Sequence, residues 1–202
     1  RPSGASGLLV SSLGAFDRYQ ETEAWTWEHQ ALVRARVLVG CPRVATAFET
    51  IRARVLGRER ELLALRQEVS EMRAKMRDNL GSKETSAGRA VNAFDAGQPF
   101  DLKQDAGGIV DIEFMVQYAA LAWSDDHPQL LTYTDNIRIL DGLREQRLLP
   151  ADDVAALQEA YKALRSVAHR LALQKQPGKV AGDQLVGERR TVMRIWQELG
   201  LA

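Results

Sequence analysis

The sequence predicts an all-α protein, mainly a helical bundle of antiparallel helices, with a short orphan strand remnant near the N-terminus. Three observations carry that expectation. Ala, Leu, Arg, Glu and Gln dominate, all good helix formers, while aromatics make up 6% and β-branched residues are sparse. Apolar residues recur three and four apart over long stretches, as in helices that bury one face. Leu8–Leu9–Val10 is a short apolar run with strand character, and no second strand lies nearby to pair with it.

Taken in order, residues 1–7, R-P-S-G-A-S-G, are turn chemistry. Residues 14–39 read as one helix, closed by Gly40, Cys41 and Pro42. Trp25 and Trp27 are two apart and cannot share a helix face, so burying both needs cover on two sides. Phe48, Ile51 and Val55, then Leu62, Leu65, Val69, Met72 and Met76, form a heptad seam broken by Arg58 beside Gly57. This is one long helix, or two with a kink at Gly57. Residues 79–100 are rich in glycine, serine and small polar residues and read as a long loop. Ile109 to Trp123 is apolar nearly all round, the mark of a helix central to a bundle. Asp125-Asp126-His127-Pro128 ends it. Asp135 can cap a helix to about Gln146. Another runs from Pro150 or Ala151 to about Gln174, with Val154, Leu157, Tyr161, Leu164, Ala168 and Leu171 as its seam. Gln176-Pro177-Gly178 breaks it, and Asp183 starts a last helix with Val192, Trp196 and Leu199 inward. The bundle then holds about five to seven helices.

The 202 residues suffice for a core without disulfide or metal. Cys41 is the single cysteine, so no internal disulfide forms, and a reducing, cytoplasmic setting fits. No apolar run is long enough to cross a membrane. The chain opens at Arg1 without methionine, as a piece of a longer chain would. Charge totals balance, 27 against 27, yet residues 101–159 carry a net −8 and residues 160–202 a net +5. Two solvated faces that attract each other explain this, as does a basic surface for an anionic partner. The neutral total argues against generic nucleic-acid binding.

The stretch K-Q-D-A-G-G-I-V-D-I-E-F, Lys103 to Phe114, places an acid, two glycines and two further acids at the mouth of the apolar helix. Gly107-Gly108 turns the chain, the helix's free amides face that turn, and Lys103 sits just upstream; together they suit a phosphate or another anion. Alternatively, Asp105 caps the helix and the stretch is only a turn. Asp111 lies in the first turn, where the dipole favours an acid. Glu113 and Gln117 form a polar stripe, and Glu113 needs a partner, for which Arg138 or Lys103 could serve. It is either a structural ion pair or an acid that organises a ligand. Asp135 as a cap leaves Asn136 and Arg138 as possible site residues. His29, His127 and His169 have no metal-ligand spacing, and no nucleophile arrangement is evident.

Four stretches in order, R-P-S-G at 1–4, A-W-T-W-E-H-Q-A-L-V-R-A-R at 24–36, D-L-K-Q-D-A-G-G-I-V-D-I-E-F-M-V-Q-Y at 101–118 and T-D-N-I-R-I-L at 134–140, resemble the bifunctional glutamine synthetase adenylyltransferase/adenylyl-removing enzymes. The resemblance runs from Arg1 to the last helix. It implies an enzyme of two similar halves, each a nucleotidyltransferase domain of the DNA polymerase β type followed by a helical domain. One half transfers AMP from ATP to a tyrosine of glutamine synthetase, and the other removes it by phosphorolysis. D-A-G-G…D-I-E-F looks like the C-terminal, adenylyltransferase half. Residues 1–40 would be the tail end of a nucleotidyltransferase domain and 41–202 the helical bundle domain. The family's Mg²⁺-binding carboxylates lie upstream of R-P-S-G, so the chain is expected to be inactive by itself and to hold no cofactor tightly, with ATP and Mg²⁺ serving the full-length enzyme. The resemblance also makes Arg1, Lys103, Asp105, Gly107, Gly108, Asp111, Glu113, Gln117, Asn136 and Arg138 candidates for lining the nucleotide cleft, or for fixing a domain junction. Implied partners are glutamine synthetase and the PII signal protein, not nucleic acid or membrane. A regulatory helical module docking PII or glutamine synthetase is the alternative.

Overall fold

A computed structural model describes residues 10–82 and 94–202. Among these lie eight α-helices, a short 3-10 helix at Pro128–Leu131 and a two-stranded sheet. The helices are α1 Leu13–Thr22, α2 Thr26–Val33, α3 Pro42–Leu56, α4 Leu62–Leu80, α5 Ile109–Trp123, α6 Asn136–Glu145, α7 Ala151–Leu173 and α8 Val186–Glu198. The strands are β1 Pro99–Asp101 and β2 Lys179–Ala181.

α5 is the axis of the molecule. Thirteen of its fifteen residues are buried, and it packs against α2, α4, α6, α7 and α8. The amphipathic helices each present an apolar stripe to it: Leu65 and Val69 from α4, Ile139, Leu140 and Leu143 from α6, Val154, Leu157 and Leu164 from α7, Val192 and Ile195 from α8. All of these belong to one apolar cluster, which also takes in Leu32 and Val33 of α2 and Val55 and Leu56 of α3.

Several expectations need correction. Residues 14–39 form two helices, not one, and Arg34–Gly40 lies outside helix. The break has a polar cause. The Glu28 carboxylate accepts the Trp25 amide at 3.0 Å and the Tyr19 hydroxyl at 2.7 Å, so it starts a new helix where the old one would have continued. Neither tryptophan is buried: Trp25 is 69% exposed and Trp27 45%. The heptad seam resolves into α3 and α4. Gly57 caps the first, and the Glu61 carboxylate caps the second by accepting from Leu63 and Ala64. Among the described residues the α-helices therefore number eight, against the five to seven expected.

The strand remnant expected at Leu8–Val10 falls mostly outside the described residues. Of its three residues only Val10 is described, as exposed coil. The strands instead come from places far apart in sequence: β1 pairs antiparallel with β2, with Phe100 opposite Val180. Of the loop expected at 79–100, α4 takes 79–80 and β1 takes 99–100, and residues 83–93 lie outside the described residues. The last helix starts at Val186, not Asp183, because Gly182–Gln184 makes a turn that the buried Arg189 holds from inside, its Nη1 donating to Gly182 O. Leu185 completes that turn with φ 55°.

Buried and half-buried arginines recur as ties between elements. Arg52 donates to Leu32 O, Val33 O and Leu131 O at 2.8–3.1 Å, closing the carbonyl end of α2 and the 3-10 helix together. Arg60 donates to Val55 O, Leu56 O and Leu121 O, and burial pushes its guanidinium down to about 10.

Candidate cleft at the start of the central helix

The Lys103–Phe114 stretch folds into a tight turn between β1 and α5. Asp101 begins it: its Oδ1 accepts the amides of Lys103 and Gln104, both at 2.9 Å. Leu102 N donates to Gly178 O, which pins the turn beside β2 and the segment following α7. Gly107 takes φ +84°, and a Cβ there would meet the Arg189 carbonyl at 2.8 Å, so conformation and space both require glycine.

The three acids of the stretch have separate tasks. Asp105 is not the cap of α5. It is buried and accepts the amides of Ser82 and Asp101, both at 2.8 Å, fastening the end of α4 to β1. Gly108 occupies the cap position with no side-chain bond. Asp111 faces inward: Oδ2 accepts Gly107 N at 2.7 Å, while Oδ1 accepts Arg73 Nε at 2.6 Å and Arg77 Nη2 at 3.3 Å. Arg73 and Asp111 are 0% and 2% exposed. Burial presses the Arg73 guanidinium below its ordinary value, and Asp111 opposes that shift.

The amides expected to be free for an anion are taken. Gly107 N goes to Asp111, Gly108 N to Asp105 O, Ile109 N to Leu102 O, Val110 N to Lys103 O and Asp111 N to Gly108 O. Any anion here must be held by side chains.

Glu113 pairs with neither Arg138 nor Lys103. Its partner is Arg34 from the end of α2, at 3.5 Å, and Arg34 also donates to Asn136 Oδ1 at 3.1 Å. Gln117 Oε1 accepts from Gln30 of α2 at 3.4 Å. Glu113, Gln117 and Asn136 thus form one polar seam between α2, α5 and α6. Among the described residues, Gln30 Oε1 and Asn136 Nδ2 are buried there without a partner. Arg138 stands apart: it bonds Asp135 and stacks on the Tyr133 ring at 4.3 Å, in a separate depression. Arg1 lies outside the described residues.

Of the ten candidates, the structure brings Lys103 and Glu113 into one open cleft of about 500 Å³, between the turn and α7. Asp105, Gly107, Gly108 and Asp111 form the scaffold behind it. Sequence reasoning missed Arg34, just past the end of α2, and Arg73 of α4, which lie 79 and 38 residues from their partners. No local signal marks either one. It also set aside His169, which lines this cleft with Arg165.

A model described as Glutamate-ammonia ligase adenylyltransferase matches residues 1–51, and one described as GlnD PII-uridylyltransferase matches residues 61–198. Over all 202 residues the chain is 71% identical to a bifunctional glutamine synthetase adenylyltransferase/adenylyl-removing enzyme of Pseudomonas putida, and 73% identical to one of Pseudomonas syringae pv. tomato. The chain belongs to the glutamine synthetase adenylyltransferase family. Its segment 61–198 belongs equally to the family described as GlnD PII-uridylyltransferase, so the helical body from α4 to α8 is common to both. The chain spans about a fifth of the length of these relatives, 21% and 20%. A more distant relative from Hahella chejuensis is 49% identical over 199 residues. Within this adenylyltransferase-family chain, the cleft, the Asp111 clamp and the Arg34–Glu113 seam all converge on the first two turns of α5.

Proposed function

We propose that this chain is the C-terminal end of an adenylyltransferase half that transfers AMP from ATP to a tyrosine of glutamine synthetase. The observation that carries the reading is identity above 70% along the whole chain to enzymes named for that activity. Residues 1–40 then close a nucleotidyltransferase domain, and 41–202 form the helical domain beside it, in the cytoplasm. The chain's share of the work is positioning. The Asp101 turn and the Asp111–Arg73 clamp hold Lys103 at the mouth of the cleft, where its ammonium can meet nucleotide phosphate or the target tyrosine loop.

Among the described residues, no three His, Cys, Asp or Glu side chains are grouped to hold a metal ion. No step through the Mg²⁺ that such phosphoryl chemistry uses is assigned to this chain's own residues. The test is glutamine synthetase adenylylation with ATP and Mg²⁺, by this chain and by a version extended upstream. Transfer by the extended version, absent from this chain and reduced at least about tenfold by Lys103→Ala, is the expected result. Transfer by this chain alone, or an unchanged Lys103→Ala enzyme, would overturn the assignment.

The second reading, a regulatory module that docks PII or glutamine synthetase, draws on the match of 61–198 to a PII-uridylyltransferase model. Retention of this chain on immobilised PII would favour it, and failure to bind would remove it.

A further inference from the structure

We infer that the cleft between the Leu102–Gln104 turn and α7 binds a phosphoryl group, with Lys103 and Arg165 as its paired cations and His169 as a third donor. This deepens the positioning role given above to Lys103, but it stands on the cleft itself and its test needs no turnover.

The charges in the cleft are unequally satisfied. Both carboxylates are already committed: Asp101 Oδ1 accepts two backbone amides, and Glu113 pairs with Arg34. The two cations are not. Among the described residues, neither Lys103 Nζ nor the Arg165 guanidinium has a carboxylate partner. On α7 and α8, Lys162 pairs with Glu159 and Arg194 with Asp153 and Glu198, whereas Arg170 and Arg190, which lie outside the cleft, also have no carboxylate partner among the described residues. Arg165 instead approaches a base, its Nη2 lying 3.0 Å from His169 Nε2. A guanidinium can only donate, so Nε2 accepts and the imidazole carries its proton on Nδ1. The pair presents donors and no charged acceptor.

The frame is rigid where it must be. β1 pairs with β2, and Leu102 N bonds Gly178 O, so the turn bearing Lys103 is tied to the chain just beyond α7. Arg165 and His169 are one helical turn apart on α7 and project to the same side. A lysine and an arginine lining one cleft suit the distributed charge of a phosphoryl group better than a single carboxylate, because two charge-assisted sets of donors can share three oxygens. Leu80, Ile109 and Ala168 give the cleft an apolar wall. At about 500 Å³ it has room for more than a bare anion.

The experiment is an NMR titration of this chain with inorganic phosphate, pyrophosphate and AMP in parallel. Amide signals of Lys103, Gln104, Arg165 and His169, and the His169 ring protons, are followed. Saturable shifts confined to these residues are expected, with binding weakened about tenfold or more by Lys103→Ala and by Arg165→Ala. Both side chains are solvent-exposed, so neither change threatens the fold, and the remainder of the amide spectrum verifies this. Arg170→Ala, one position beyond His169 and outside the cleft, is the control and should bind normally. AMP binding tighter than phosphate marks a nucleotide as the source of the group, and equal or weaker AMP binding marks free phosphate or pyrophosphate. No saturable shift with any of the three probes would overturn the inference. So would shifts spread over surface cations that Arg170→Ala weakens as much as Arg165→Ala.

Discussion

Replacing Asp111 with alanine should be the most damaging single change at this site, and the structure sets the size of the effect. Asp111 accepts three bonds, from Arg73, Arg77 and Gly107 N. Arg77 is 35% exposed and can turn to water once its partner is gone. Arg73 is fully buried and cannot. Its Nη2 keeps the bond to Gln104 O, but its charge loses its counterion. Breaking a buried pair from one side costs ~3–5 kcal/mol, because the remaining charge is stranded. The orphaned Gly107 amide keeps the total toward the upper end of that range. For a chain of this length, ~4 kcal/mol corresponds to a melting temperature lower by about 8–16 °C. The assay is urea unfolding followed by circular dichroism, read as a lower midpoint at constant slope. A second variant separates charge from shape. Arg73→Met combined with Asp111→Leu removes both charges and should be more stable than Asp111→Ala alone, although it removes more of the native chemistry. A loss below about 1 kcal/mol for Asp111→Ala would refute the clamp. A double variant no better than the single one would refute the stranded charge as its cause.

Gly107→Ala should cost ~2 kcal/mol or more in the same assay, since φ +84° and the Arg189 carbonyl at 2.8 Å both oppose a Cβ. Gly14→Ala, in α1 with nothing near, should be neutral or slightly stabilising and serves as its control. His29 is pushed below its ordinary 6.5 by burial first and then by the charges of Arg58 and Arg60, against an opposing bond to Gln20 O. A depressed folded value means that its contribution is whole above pH 6.5 and lost as pH falls through the folded value. Urea midpoints at pH 7 and pH 5 should therefore differ more in the parent than in His29→Gln. Equal differences would show that His29 does not carry the acid limb. Tyr19 is pushed up to about 12, mainly by donating to Glu28. A raised value means that its contribution is present below pH 10 and lost between about 10 and 12. Absorbance titration should show one phenol ionising late in the parent, and that lag should vanish in Glu28→Gln.

The helices legible in the sequence were those whose ends are written locally. Asp135 caps α6 by accepting Arg138 N, as read, and α5 was marked by being apolar nearly all round. Elements decided at a distance were not legible. The break before α2 depends on which way the Glu28 carboxylate turns, and β1 and β2 each have three residues and no meaning apart from the other. Arg52 and Arg60 carry no local mark in the sequence, yet they bond the last carbonyls of α2 and α3.

The same division runs through the site. Lys103, the glycines and the acids stand within eleven residues, so their association was visible as a motif. Their roles were not, because each role is fixed by a partner on another element: Asp105 by Ser82, Asp111 by Arg73, Glu113 by Arg34. Three acids that look equivalent along the chain become a fastening, a buried clamp and half of a surface-reaching ion pair. What the stretch leaves unpaired is the lysine. The carboxylates of the motif are each committed to a partner within the chain, and the ammonium is not, which is why the proposed ligand role falls to Lys103. On α7, Arg165 approaches a histidine, while Lys162 one turn before finds an acid. The proposed anion site therefore rests on Lys103 and Arg165, two cations lining one cleft without a carboxylate partner among the described residues, rather than on the glycine turn that first drew notice.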